Sequence, residues 1–242
     1  MTALLSLDRV VKRFGGLVAT NELTFDVAEG ESLGLIGPNG AGKTTIFSLI
    51  MGELRQNAGA IRLGGEEISA LPTHARIRRG VSRTYQVPRP FADMDVAGNI
   101  RVGLMPDSLW EMVFGRADPA AEARLAASVG LSEADLARTP AELSMGDLRK
   151  LELARTLATE PRIVLLDEVF AGLTVGEIAQ ISELIAEKRA AGMTFVIVSH
   201  DLRSLEPLVD RVVAMAQGQK IAEGSFAEVT ADAAVRDAYL GV

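Results

Sequence analysis

Nine consecutive residues, Gly37-Pro38-Asn39-Gly40-Ala41-Gly42-Lys43-Thr44-Thr45, bring together the groups needed to hold a chain of phosphates. The glycines let the backbone curl so that successive N–H groups point inward at an anion. The run TIFSLIM that follows reads as a helix, whose N-terminus adds the positive end of its dipole. Lys43 has the reach and charge for outer phosphates, Thr44 a hydroxyl for Mg²⁺, and Thr45 a hydroxyl for an inner phosphate. The spacing fits G-x-x-x-x-G-K-[ST], and the apolar run Ser32–Ile36 leads directly into it. That strand–loop–helix context separates a phosphate-binding loop from a glycine-rich turn before an ordinary helix. A nucleotide with its Mg²⁺ is the expected ligand.

A second group is carboxylic. Ile163-Val164-Leu165-Leu166 reads as an apolar strand that ends in Asp167 and Glu168, which places acids at the carboxyl end of a sheet, beside the phosphate loop. Asp167 is suited to hold Mg²⁺ through water. Glu168 is suited to orient or deprotonate an attacking water. The bland alternative makes one of these acids a helix cap. The run Thr194–Val198 ends in Ser199-His200-Asp201, so one of the two histidines of the chain stands at another strand terminus, where it can hydrogen-bond a terminal phosphate. The other, His74 in LPTHARIRRG, has no such context and reads as a solvated loop residue.

These groups need a scaffold that brings strand ends together. Short Val-, Ile- and Leu-rich runs alternate with helical patterns, the signature of strands feeding crossover helices around a mostly parallel sheet, so the class is α/β. Strands are expected at 4–11, 22–27, 32–36, 59–63, 163–166, 194–198 and 211–216, with 220–222 closing a hairpin across Gln217 and Gly218. From about Pro88 to Ala158 strand signals vanish and Ala-rich helical stretches such as DPAAEARLAASVGL and GDLRKLELARTLA take over, which suggests an inserted helical subdomain.

Composition narrows the classes. The chain has 242 residues, 48% hydrophobic and 24% charged, a net charge of −7 and no cysteine. Disulfide scaffolds, thiolate metal sites and Cys nucleophiles are excluded. The acidic balance argues against nucleic acid as a partner and against direct attachment to an anionic membrane. The N-terminus lacks a basic region followed by an apolar run, so no secretory signal is expected. The longest apolar runs are strand-sized, so any link to a membrane runs through a partner.

Leu143-Ser144-Met145-Gly146-Asp147 opens a helix, with Ser144 as N-cap and Asp147 three residues on. Its place, after the helical insertion and about twenty residues before the Asp-Glu strand, resembles the signature motif of the ATP-binding cassette (ABC) ATPases, and the resemblance covers nearly the whole chain. It implies a P-loop NTPase (RecA-like) α/β core formed by residues 1–87 and 159–242, an antiparallel β subdomain, and a helical subdomain at 88–158 that carries the signature. By the same similarity Gln86 in RTYQ is the Q-loop glutamine, acting in catalysis and at Mg²⁺, and Phe14 in KRFGG stacks on adenine. Ala171-Gly172-Leu173-Thr174 is the D-loop, and His200 is the switch histidine. KRFGGLVA, GPNGAGKTTIFSLIMG, GVSRTYQVPRPF, IAEGSFAEV and DAYLGV look more specifically like the first ATPase type of branched-chain amino acid importers.

That resemblance implies a peripheral subunit on the cytoplasmic face of the cell membrane. Its partners would be a second ABC ATPase subunit, identical or different, two integral-membrane permease subunits and, indirectly, a solute-binding protein. Ser144, Met145, Gly146 and Asp147 would complete the partner's ATP site, and the solute would be a branched-chain or hydrophobic amino acid or a related small amide or carboxylate. The alternatives are a soluble non-transport ABC ATPase and a regulatory nucleotide-binding module. Met145 and Asp147 depart from the usual LSGGQ, and Val169 replaces the usual proline. Asp147 adds negative charge where phosphate should bind, from which a weaker signature in an asymmetric pair is expected. Arg76, Arg78, Arg79, Arg83 and Arg89 read as a solvated face or a docking contribution, and Trp110 as core.

Overall fold

The structure, a computed structural model, describes residues 3–105 and 118–240. β1 (Ala3–Phe14) and β2 (Leu17–Ala28) form a hairpin that turns at Gly15 and Gly16; β1 also pairs with β4 (Ala58–Leu63), and the short β5 (Glu66–Glu67) closes this antiparallel sheet. The second sheet runs β10-β9-β3-β8-β7-β6. In it β3 (Ser32–Ile36), β6 (Val81–Arg83), β7 (Ile163–Asp167), β8 (Thr194–Val198) and β9 (Arg211–Ala216) pair in parallel, and only β10 (Gln219–Gly224) is antiparallel, to β9. β3, β7 and β8 are buried at every position, which is why they read as unbroken apolar runs rather than alternating ones.

The two faces of this sheet bury different partners. Leu33, Leu35, Leu165, Val196 and Val198 pack with Phe47 and Ile50 of α1 (Lys43–Met51) and with Leu5, Leu7 and Phe25 of the antiparallel sheet. Ile36, Val164, Leu166, Phe195 and Ile197 point the other way, toward Leu151 and Ala154 of α5 (Met145–Leu157) and Ile181 and Ile185 of α6 (Val175–Ala190). Between β6 and β7 the described residues hold α3 (Val96–Leu104), α4 (Pro119–Ser128), two 3₁₀ turns and α5, and no strand. Trp110 lies outside the described residues. The short α2 (Thr73–Ile77) and α7 (Leu202–Leu205), with α8 (Phe226–Ala231) and α9 (Ala233–Leu240), complete the chain.

β1 and β2 extend beyond the expected runs, because the ends that meet at the turn, Lys12-Arg13-Phe14 and Leu17–Asn21, are partly exposed and mix polar with apolar residues without a clear period of two. β5 and β6 were not expected. Three residues, Val-Ser-Arg, carry too little pattern to announce a strand, and β6 owes its place to parallel pairing with β7. The β9–β10 hairpin turns at Gln217 and Gly218 as the sequence predicts, and both residues have positive φ, 47 and 78°.

The order of the parallel strands places a switch point at β3, between β8 and β9. Ligands in such sheets sit beyond the carboxyl ends of the strands. There β3 runs into residues 37–42, β6 into Thr84–Gln86, β7 into Glu168 and β8 into Ser199–His200.

Candidate nucleotide site

The loop after β3 is held tightly from behind. A Cβ on Gly37 would lie 2.2 Å from the Met215 carbonyl oxygen, and one on Gly42, at φ 103°, would lie 2.5 Å from that of Ala19, so neither position admits a side chain. Gly42 is the N-cap of α1 and offers no side-chain acceptor, which leaves the first helical amides to an incoming anion. Lys43 is buried, and its ammonium donates to the carbonyls of Gly37 at 2.6 Å and Pro38 at 3.0 Å. Burial lowers its pKa, while Glu168 and Asp167 counteract that shift. Thr44 is exposed at the head of α1 and Thr45 half-buried.

Three strand ends converge on Glu168. Its backbone sits in the left-handed region, φ 49°, a conformation uncommon for a non-glycine residue and typical of strained functional positions. The amide of Gln86, beyond β6, donates to its Oε2 at 3.0 Å, and His200 Nε2, beyond β8, lies 3.0 Å from its Oε1. A cleft of about 480 Å³ is lined by Phe14, Asn39–Thr45, Glu168 and His200. Phe14 stands at the hairpin tip, 45% exposed, with the Lys12 ammonium 4.8 Å from its ring centroid.

Asp167 is buried beneath this cleft, and its Oδ2 accepts from Arg83 at 2.6 Å. Arg83 also reaches Glu53 at 2.9 Å and Ser48 at 3.1 Å, and its guanidinium lies 5.0 Å from the Tyr85 ring centroid and 5.7 Å from that of Phe47. This corrects the solvated-or-docking expectation for Arg83, whose side chain is only 4% exposed. Arg76 is corrected likewise. It is buried and donates to the carbonyls of Leu49, Ile50, Ser69 and Leu71, closing the C-terminal end of α1. Arg79 pairs with Glu66, and Arg89 lies over the Tyr85 ring. His74 is exposed, but on α2 and not in a loop.

Among the described residues no three His, Asp or Glu side chains gather to hold a metal. Asp167 Oδ2 is fixed by Arg83. A divalent cation therefore fits here only as one carboxylate, one Thr44 hydroxyl and phosphate oxygens provide for it, with Gln86 as a further oxygen donor. That donor set suits Mg²⁺.

The signature residues are elsewhere. Ser144 caps α5, accepting from the Asp147 amide at 3.1 Å, and its hydroxyl donates to the Asp147 carboxylate at 2.9 Å. Lys150 Nζ lies 3.2 Å from the other Asp147 oxygen, so the charge of Asp147 is partly offset inside the chain. The Gly146 amide donates to Glu177 at 2.9 Å, and a Cβ on Gly146 would meet that carboxylate oxygen at 2.5 Å. Glu177 also closes a capping box with Thr174, tying the 171–174 turn to the signature. None of Ser144–Asp147 lines the cleft around the phosphate loop.

Arg83, Arg76, Glu177 and Tyr239, whose hydroxyl meets the Gly37 amide, are polar anchors that sequence reasoning missed. Glu177 alone left a signal, the T-x-x-E spacing of a capping box. No helix among the described residues is long and apolar enough to cross a membrane.

A family model described as ABC transporter matches residues 20–171, and one described as branched-chain amino acid ATP-binding cassette transporter matches residues 219–242. The high-affinity branched-chain amino acid transport ATP-binding protein LivG of Escherichia coli strain K12 is 37% identical over 250 residues, covering 98% of each chain. The lipopolysaccharide export system ATP-binding protein LptB of Acidithiobacillus ferridurans is 36% identical, over 100% of this chain and 98% of its own. Crystal structures of a nucleotide-free ATP-binding cassette and of the ADP conformation of the cassette MJ1267 each superpose with a TM-score of 0.88, at 28% identity and full coverage of both chains.

Proposed function

Because the chain belongs to the ATP-binding cassette transporter family, we propose that it is the ATP-hydrolysing subunit of an importer for branched-chain or hydrophobic amino acids, or a related small amide or carboxylate. The meeting of Gln86, Glu168 and His200 at the edge of the phosphate-loop cleft supports the hydrolytic part of this reading. The match of residues 219–242 to the branched-chain amino acid model supports the transport class, because overall identity is nearly the same to LivG and to an exporter's LptB.

In this reading the phosphates enter the curl of residues 37–45, and Lys43 exchanges the Gly37 and Pro38 carbonyls for phosphate oxygens, a stronger, charge-assisted pairing. Phe14 offers its exposed ring to the base. Thr44, Asp167 and Gln86 would hold Mg²⁺, which would neutralise charge on the outer phosphates. Glu168 takes the proton of the attacking water, with Gln86 and His200 orienting its two oxygens and sensing the terminal phosphate.

Ser144, Met145, Gly146 and Asp147 lie outside this cleft, so a second cassette, facing this one head to tail, supplies the matching signature. Closure of the pair on ATP and opening after hydrolysis gate two permease subunits at the cytoplasmic face of the membrane, through the different affinity of ATP for the two states. A cleft of about 380 Å³ lined by Tyr85, Arg89, Gly103, Glu152 and Arg155, next to the Gln86 segment, is suited to receive a permease element. The experiment is to co-purify the chain with its permease subunits, reconstitute the complex, and measure ATP turnover against a panel of amino acids, urea and small carboxylates. Stimulation by branched-chain or hydrophobic amino acids, delivered by their binding protein, is the expected result; stimulation by none of the panel rejects the importer reading.

A further inference from the structure

The phosphate loop rests on the C-terminal part of the chain. The Gly37 amide donates to Tyr239 Oη at 2.8 Å, and the Gly218 amide, in the β9–β10 turn, donates to the Ala41 carbonyl at 3.1 Å. Gly37 is buried against the Met215 carbonyl, so its N–H needs a partner from the protein. The same residue faces Lys43 with its other polar group, the carbonyl that accepts from Nζ at 2.6 Å. Tyr239 thus grips the N–H of the residue whose C=O seats the phosphate-binding lysine.

The tyrosine is itself held in place. It belongs to α9, whose Val235 is buried in the core and whose first turn is capped by the Asp232 carboxylate, accepting from Ala234 N at 2.8 Å. Asp237 and Ala238 of the same helix border a groove of about 350 Å³ whose opposite wall is Pro38–Ala41. No residue of α9 takes part in the proposed hydrolysis.

We propose that Tyr239 is a positioning residue for the phosphate loop, whose hydroxyl, by holding the Gly37 amide, sets the loop's affinity for nucleotide. The proposal rests on the reading of residues 37–45 as an ATP site. Tyr239→Phe keeps the ring and removes the acceptor. In the full chain it weakens both ATP and ADP binding about tenfold by isothermal titration, equivalent to about 1.4 kcal/mol, and speeds amide hydrogen exchange over residues 37–43. Val235→Ala, a core truncation on the same helix, lowers the unfolding midpoint and leaves the affinity of the folded protein unchanged.

An unchanged affinity in Tyr239→Phe overturns the proposal, as does an equal loss in Val235→Ala, which would mean that only packing of α9 matters. Lys43→Ala separates the two levels. If it abolishes binding while Tyr239→Phe binds like the wild type, Tyr239 has no positioning role and the ATP site stands. If Lys43→Ala binds like the wild type, the ATP-site reading fails and the role of Tyr239 falls with it.

Discussion

At Glu168 the backbone leaves the β7 strand through a left-handed residue, φ 49°, and the side chain receives Gln86 on one oxygen and His200 near the other. The strain persists because the neighbours fix it: the Glu168 amide donates to the Val198 carbonyl at 2.9 Å, which binds the end of β7 to the end of β8. A glutamine fits the same space and can pair with both neighbours, but it cannot take a proton from water. Glu168→Gln is therefore expected to keep ATP affinity and to lower turnover about 10²- to 10⁴-fold, checked by single-turnover hydrolysis beside equilibrium binding; undiminished hydrolysis removes Glu168 as the base. Residues of this kind were legible in unequal measure. The placement of Gly37–Thr45 after a strand could be read because the pattern lies in consecutive residues, and that of Glu168 and His200 at the same cleft because each follows an apolar strand. Gln86 carried no signal beyond the family resemblance, since β6 is too short to mark where it ends. Arg83 was misread because a charged residue in a basic run looks solvated, and its partners lie far off in the chain, Asp167 at the end of β7, Ser48 in α1 and Glu53 just after it.

At the scale of elements, α1 shows how the site is kept rigid. Its N-terminus must stay open for phosphate, so no side chain caps it. Its C-terminus is closed instead by Gly52 in the left-handed region and by the buried Arg76, which takes the Leu49 and Ile50 carbonyls while also holding Ser69 and Leu71. A cation at that end complements the helix dipole. Arg76→Met preserves much of the volume and removes the guanidinium donor from the Ile50, Ser69 and Leu71 carbonyls, while Leu49 keeps only the Gly52 amide, so a loss of about 2–4 kcal/mol in unfolding free energy is expected. Urea unfolding measures it, and a loss under about 0.5 kcal/mol, the range of ordinary surface substitutions, contradicts the closing role. The parallel strands β3, β7 and β8 were legible because both of their faces are buried. The β1–β2 hairpin was not legible near its turn, where Lys12-Arg13-Phe14 and Leu17–Asn21 are partly exposed and show no clear strand period.

At the scale of the molecule, the proposed head-to-tail pairing would have one cassette hold one half of a site in its cleft and present another half on α5. The displayed half is occupied by the chain's own acids: Asp147 takes the Ser144 hydroxyl and Glu177 takes the Gly146 amide. A phosphate arriving from a facing cassette has to compete for both donors. Lys150 offsets the charge of Asp147, so repulsion is weaker than the bare sequence suggests. Competition for the Ser144 hydroxyl is the larger obstacle, because hydrogen bonds to charged groups contribute about 1.5–3 kcal/mol. Asp147→Gln replaces the carboxylate that binds Ser144 and Lys150 with a neutral amide, which holds the hydroxyl less strongly. In the assembled complex it is expected to lower the ATP concentration needed for half-maximal turnover about three- to tenfold, somewhat less than one such bond because Lys150 then gains freedom to pair elsewhere. If the ATP requirement and the turnover both stay at wild-type values, the signature of this chain is not limited by its own acid. The asymmetry between the two ATP sites would then have to come from the other cassette.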